Sequence, residues 1–270
     1  MKEHTNHYYL INSKDANTPT ESKNDIIIKP HNFDRVTSFK IKKIIVPYTF
    51  YTINSNNNVL TIFKNGDTVD RSITITNGDY SLAQFITELK TKLDALAGPP
   101  QTYTITDNDV THKLTIAQNS STFIIRGKSS SLNRVMGFTN VDTSNAISHT
   151  ASNIYNLSGT HFIKVHSNQL TKYDTKIRTS GAGGNDLLLT IPLSKYQFGD
   201  LVYYEPKNDY LFDYHSHAES NIDIILRDDE NKLLGGSNGL NGQNYIIDLQ
   251  FQTERKQTTQ LRDEGFSREL

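Results

Sequence analysis

The residues of this chain best suited to metal chemistry are His215 and His217, separated by Ser216. In an extended segment residues i and i+2 face the same side, so both imidazoles would reach one ion, a pairing that suits zinc. Asp213 and Glu219 stand close by in sequence. A zinc site needs a third ligand, and no spacing here fixes one, so the plain reading is a pair of loop histidines and no metal. Asp228-Asp229-Glu230 offers carboxylates to calcium but lacks the alternating oxygen ligands and the glycine of a calcium loop, so an acidic hairpin turn is expected. Gly127-Lys128-Ser129 has the form of the end of a phosphate-binding loop. That pattern needs glycine where Thr122 stands and a long helix afterwards. Gly181-Ala182-Gly183-Gly184 leads into an apolar strand pattern, which leaves a phosphate no helix N-terminus to sit on. Gly235-Gly236-Ser237-Asn238-Gly239 matches Gly-x-Ser-x-Gly, but a polar turn and a strand pattern follow it where a nucleophile elbow needs a helix, so an elbow is not indicated. The expectation is a chain that is not an enzyme, with no catalytic residues and no cofactor.

What stands out instead is aromatic. Tyr203, Tyr204, Tyr210, Phe212 and Tyr214 crowd into one stretch. Such side chains stack sugars or bases, fill a subunit contact, or pack a sandwich. They are the interface candidates. The bulk numbers narrow the partners. Net charge is −1 over 270 residues, so no global field recruits nucleic acid or an anionic membrane. Lys40, Lys42 and Lys43 form a local basic cluster, read as a solvated strand face or an edge guard. There is no cysteine, which excludes disulfides and thiolate sites and fits assembly in a reducing compartment. No apolar run is long enough to span a membrane, and the first residues lack the apolar core of a secretory signal.

The elements that must position these residues are mostly short strands. One helix is the exception. Leu82, Phe85, Ile86, Leu89, Leu93 and Leu96 share one helical face, Ser81 with Gln84 has the form of a capping box, and Gly98-Pro99-Pro100 ends the segment. Around it, Val59–Phe63 and Ser72–Thr76 flank Asn65-Gly66-Asp67, a hairpin signal, and Tyr103–Thr106 pairs with Lys113–Ala117 across Asp107-Asn108-Asp109. Thr122–Arg126 adds a strand, and Ser131–Phe138 reads as one helical turn closed by Gly137. This β-β-α-β-β-β order predicts a small α+β layer.

Two to three strands precede that block and about five follow it, near the eight of a jelly roll. In the longest, Val36 to Tyr51, Lys43 breaks the alternation, which predicts a bulge. Residues 139–159 read as a loop and 253–270 as a charged tail. The fold class expected is mainly β: a jelly-roll β-sandwich of residues 1–54 and 150–270 with polar terminal arms, interrupted by an inserted α+β module at 55–149.

Several short motifs lie on this frame. They are Ile11-Asn12-Ser13, Phe39 through Thr49 with its Pro47-Tyr48 ending, Gly78-Asp79-Tyr80-Ser81 opening the helix, Leu132 through Phe138, Ile224 through Asp228, and Tyr245 through Leu249. Together they resemble the penton-type and minor capsid proteins of large eukaryotic DNA viruses, virophages and related elements. The resemblance implies a virion protein assembled in the host cell: a jelly-roll vertex subunit that forms homopentamers and contacts the major capsid protein and other minor capsid proteins. The alternative is a glycan- or receptor-binding attachment module that uses Tyr210, Phe212 or Tyr214.

Overall fold

A computed structural model describes residues 4–16, 23–28, 36–97, 101–171, 186–207, 211–216, 220–234 and 240–254. The chain opens with β1 (His4–Asn12), β2 (Lys23–Ile28) and β3 (Val36–Pro47). It returns to the same layer pair as β10 (Phe162–His166), β11 (Leu187–Pro192), β12 (Leu201–Tyr204), β13 (Phe212–Ser216), β14 (Ser220–Arg227) and β15 (Ile246–Glu254). One sheet has the order β1-β15-β3-β12, with β13 also on β3, and the other has β11-β10-β14-β2. Every pairing is antiparallel. β15 occupies one side of β3 from Ile45 to Val36, so β12 and β13 are two halves of one interrupted strand on the other side. Counted that way there are eight strands, ordered 1-8-3-6 and 2-7-4-5, which is a jelly roll.

Alternation explains the packing. Tyr245, just before β15, and Ile247, Leu249 and Phe251 within it share the sandwich core with Phe39, Ile41, Ile44 and Val46 of β3. The phase slip at Lys43 is a bulge: Asp248 lies opposite Lys43 and Leu249 opposite Ile41, so Lys42 is the extra residue. Without it every inward residue after Ile41 would turn to solvent. β3 lies between β15 and β12, so its lysines sit on the outer face of a central strand and guard no edge.

Between β3 and β10 the chain builds a second body. β4 (Val59–Lys64) pairs with β5 (Arg71–Thr74) and β8 (Phe123–Ile125), while β6 (Tyr103–Asp107), β7 (Leu114–Gln118) and β9 (Ser148–Thr150) form a second three-stranded sheet. Helix α1 (Leu82–Ala97) buries Phe85, Leu89 and Leu93 fully against them, with Leu82, Ile86 and Leu96 half-buried beside that row. Its capping box is present. The Gln84 N–H reaches Ser81 Oγ at 3.4 Å and the Ser81 N–H donates to Gln84 Oε1 at 2.9 Å. The turn α2 (Asn133–Met136) ends on Gly137 at φ +83°, where an added Cβ would lie 2.3 Å from the Asn153 carbonyl oxygen.

The buried apolar residues, Ile225 aside, fall into two clusters with no shared member. The sandwich cluster takes Phe50 and Ile163. The other starts at Ile53, which bridges to Gly78, and reaches Ala151, with Tyr155 and Leu157 packed against it. It therefore extends beyond 55–149 at both ends. Two short chain segments, near Thr52 and Gly159, form a neck between the bodies. Gly159 has φ +69°, and a Cβ there would lie 3.1 Å from Thr52 Oγ1.

Candidate functional site

The metal candidates fall largely outside the described residues. His217 and Glu219 lie there, and so does the side chain of His215, although its backbone belongs to β13. Among the described residues no three His, Asp or Glu side chains gather closely enough to hold an ion.

The aromatic run is split by its own strand. Phe212 stacks on Phe39 with centroids 4.7 Å apart, and Tyr214 meets Phe39 edge-on at 5.9 Å. Both are buried in the sandwich core. They sit at i and i+2 on the inward face of β13, so neither side chain is offered to a partner or a sugar while the sandwich is intact. Tyr204 is half-buried against the same core, and Tyr210 lies outside the described residues. Tyr203 alone of the described members faces outward, 49 % exposed, with its hydroxyl on Glu205.

Gly127-Lys128-Ser129 is a packing turn. The Gly127 N–H donates to Asp142 Oδ1 at 2.9 Å, and a Cβ on Gly127 would meet the Val141 backbone at 2.3 Å. The next residue, Ser130, is buried. Its hydroxyl donates to the Arg126 carbonyl at 2.7 Å and accepts from the Thr61 N–H at 2.9 Å. These amides are committed to the fold, and no long helix follows. The Arg126 guanidinium, joined by the Gly127 N–H, holds the Asp142 carboxyl below its usual range.

The acidic turn is a hairpin between β14 and the segment that returns to β15, with Asn231 at φ +68°. Its carboxylates diverge. Asp228 accepts from the Lys232 N–H at 2.7 Å, and burial, with Asp229 and Glu230 adding to it, holds its pKa above the ordinary value. Asp229 reaches the His161 ring at 3.1 Å, and Glu230 meets Arg134 at 2.5 Å and Lys232 at 3.1 Å. Three diverging carboxylates, each with a cation or N–H of its own, do not converge on a shared ion. Their work is to tie the sandwich to the inserted body, since Arg134 belongs to α2 and His161 to the neck. A groove of about 650 Å³ runs along this junction, lined by Asn57, Lys128, Ser131, Arg134, Asp229 and Lys232 among others.

Two buried polar centres gave no signal in the sequence. Asp223, inside β14, accepts from Ser167 Oγ at 3.0 Å, from the backbone N–H groups of Asn168 and Gln169 at 3.1 and 2.9 Å, and from Asn168 Nδ2 at 2.7 Å. Burial works to raise its pKa, but these four donors outweigh it and the pKa is lowered. They fix the first turn of α3 (Asn168–Thr171). His166 is buried, with Nδ1 3.2 Å from Asp186 Oδ1 but not aligned for a hydrogen bond, and burial lowers its pKa despite that carboxylate.

The most exposed large apolar side chains of the sandwich lie on the two edges of the first sheet. Tyr8 and Leu10 on β1 are 64 % and 66 % exposed, and Leu201 on β12 is 66 % exposed beside Tyr203. Half-buried Ile45 and Ile246 lie between them. Tyr203 lies opposite Ile45, Ile45 opposite Ile246, and Leu10 two residues along from Ile246's partner Asn12. On the same outer face Asp248 lies opposite Leu10 and Asn12 opposite Ile246, so the exposed apolar side chains form a group at each sheet edge with polar residues between them.

Among solved structures the chain is similar to the selenomethionine-labelled mavirus penton protein, at 12% identity and a TM-score of 0.46, over 94% of this chain and 100% of that one. It is also similar to a chain of the 3.5 Å cryo-EM structure of the Sputnik virophage, at 12% identity and a TM-score of 0.37, over 92% of this chain and 97% of that one. No protein family model matches, and no curated protein matches significantly.

Proposed function

We propose that this chain is a structural protein of a virion, a penton or other minor capsid subunit that closes into a homopentamer and binds the major capsid protein and other minor capsid proteins. The observation that carries this reading is the eight-strand jelly roll with a second body spliced between its third and fourth strands. Jelly rolls build viral shells and lectins alike. The choice between them rests on surface chemistry. The aromatic side chains that would stack a sugar, Phe212 and Tyr214, are core residues, whereas exposed apolar ones lie on the two edge strands of the first sheet. Contacts between identical subunits in a ring are heterologous and close after a fixed number of copies, and two unlike edges on one sheet suit that geometry. The motifs that resemble penton-type proteins agree with it in position. Pro47-Tyr48 ends β3 at the neck, and Gly78-Asp79-Tyr80-Ser81 leads into α1.

The test is oligomeric state together with location. Mass photometry of the purified 30.6 kDa chain is expected to show a species of five copies, and purified virions are expected to contain it. A stable monomer that is absent from virions overturns the reading.

A further inference from the structure

The two bodies of the chain stand against each other without a shared core. No strand of one pairs with a strand of the other, and among the described residues no backbone hydrogen bond runs between them. What joins them is polar. In the neck the Thr52 hydroxyl donates to Asp79 Oδ1 at 2.6 Å, and Asn57 Nδ2 donates to the Thr52 carbonyl at 2.9 Å. Away from the neck, the one side-chain bond between the bodies among the described residues is the ion pair of Arg134 on α2 with Glu230 in the turn after β14, at 2.5 Å. The Arg134 side chain is 69 % exposed and that of Glu230 30 %, so water and salt weaken their attraction.

The space around this pair is open. The groove of about 650 Å³ is bordered by Thr52, Gly159 and Thr160 of the neck as well as by Arg134 and Glu230. A second cavity, of about 680 Å³, also borders Arg134 and lies against Ile154, Leu157 and His161. Close-packed interiors leave few voids larger than a water molecule, so a junction flanked by two such spaces has little packing to hold it at one angle. Bodies joined by a small polar contact move relative to each other unless a large apolar interface stops them. The neck is built to allow this. Residues 51–52 and 158–160 belong to no helix or strand, and Gly159 stands at φ +69° in the second segment. A hinge asks for a few such loop residues to absorb the change in φ and ψ.

We propose that the inserted body swings as a rigid unit about the neck, and that the Arg134–Glu230 pair is the latch that holds it against the sandwich. Opening breaks this pair, widens the groove that neck and latch share, and leaves each core intact. The motion belongs to a single copy and does not depend on self-association.

The absence of cysteine makes the test direct. Val110→Cys on the inserted body and Leu10→Cys on β1, both exposed, carry spin labels in the full chain. The labelled chain is diluted with excess unlabelled chain, so double electron–electron resonance reads distances within one copy. Val110→Cys with Val69→Cys, and Leu10→Cys with Thr190→Cys, are control pairs inside one body each, again at exposed positions. A thermal melt within about 2 °C of wild type shows the fold intact. The expected result is two distances for the cross-body pair. The minor one should grow about two- to five-fold in Glu230→Gln, in Arg134→Gln or in about 1 M salt, while both control distances stay single and unchanged. The double variant should give no more than either single one, because each removes the same bond. One narrow cross-body distance, equal in wild type, both variants and salt, overturns the proposal. A second population indifferent to the variants and to salt overturns it too, since the pair then latches nothing. A change in either control pair shows a body unfolding instead of turning and also overturns it.

Discussion

Leu89→Ala separates the two bodies of this chain by experiment. Leu89 is fully buried on α1, between the helix and the sheets of the inserted body, and belongs to a cluster that shares no residue with the sandwich core. Removing a buried leucine side chain costs about 2–5 kcal/mol, the upper end applying where neighbours cannot collapse into the space. Phe85 and Leu93, one turn away on either side, are also fully buried and anchored, so about 3 kcal/mol or more is expected. For a unit of roughly 100 residues, each kcal/mol lowers the melting temperature by about 4–8 °C. The inserted body is then expected to melt about 12–24 °C lower, while the sandwich transition falls by no more than about 4–8 °C, the ~2 kcal/mol of closing a longer loop. Scanning calorimetry reads both transitions. Hydrogen exchange resolved by peptide assigns them, with protection lost across 53–157 and retained in β3, β10, β14 and β15. One merged transition that falls as a whole, with protection lost everywhere, would refute the division into two cores.

Three further outcomes are expected. Asp223→Asn removes a carboxylate that accepts four hydrogen bonds and is expected to cost the sandwich about 2–3 kcal/mol near neutral pH. Because the folded pKa of Asp223 is lowered, its contribution is complete above the unfolded value of about 4 and disappears as pH falls through the folded value. Denaturant melts from pH 6 to 2 should therefore show wild type and variant converging at the acid end, and a gap independent of pH would contradict this. Gly137→Ala forces a side chain onto φ +83° and onto the Asn153 carbonyl, so it is expected to cost well over 1 kcal/mol in the inserted body, whereas Gly66→Ala, with open space around its Cβ, should cost only about 1. Chemical melts of the pair check it, and equal losses would show that the Asn153 contact is unimportant. Ser81→Ala removes half of the capping box and should lower the inserted body's stability by about 1 kcal/mol, read from the same melts.

The sequence made visible what is encoded locally. α1, its cap and the Gly137 turn each depend on residues within a few positions of one another, and the Lys42 bulge shows as a slip in alternation. What depends on pairing order did not show. The lysines of β3 look alike on an edge or a central strand, and only the neighbours β15 and β12 decide which it is. β13 carries inward Phe212 and Tyr214 about Asp213, a strand period short enough to be read as an aromatic surface. β9 is Ser-His-Thr, with no apolar alternation at all, and is held by pairing to β7 and by His149 against the Phe123 carbonyl at 2.8 Å. Asp223 could not be read as a cap because its acceptors serve a helix more than fifty residues earlier. The exposed pairs on β1 and β12 are simple alternations in sequence. They become the two edges of a sheet only once the sheet order is known.

The neck also has a kinetic side. β10 must find its place beside β14 and β11 although about a hundred residues separate it from β3. Loop closure across a flexible chain costs (3/2)RT ln n, so shrinking an effective loop from about 110 residues to about 10 saves roughly 2 kcal/mol. Contact between Thr52 and Gly159 supplies that shortcut once the inserted body has closed. The inserted body then acts as an internal template that delivers the second half of the sandwich to the first. Unfolding it slows formation of the sandwich and also withdraws the same ~2 kcal/mol from the finished sandwich, which must then close the longer loop.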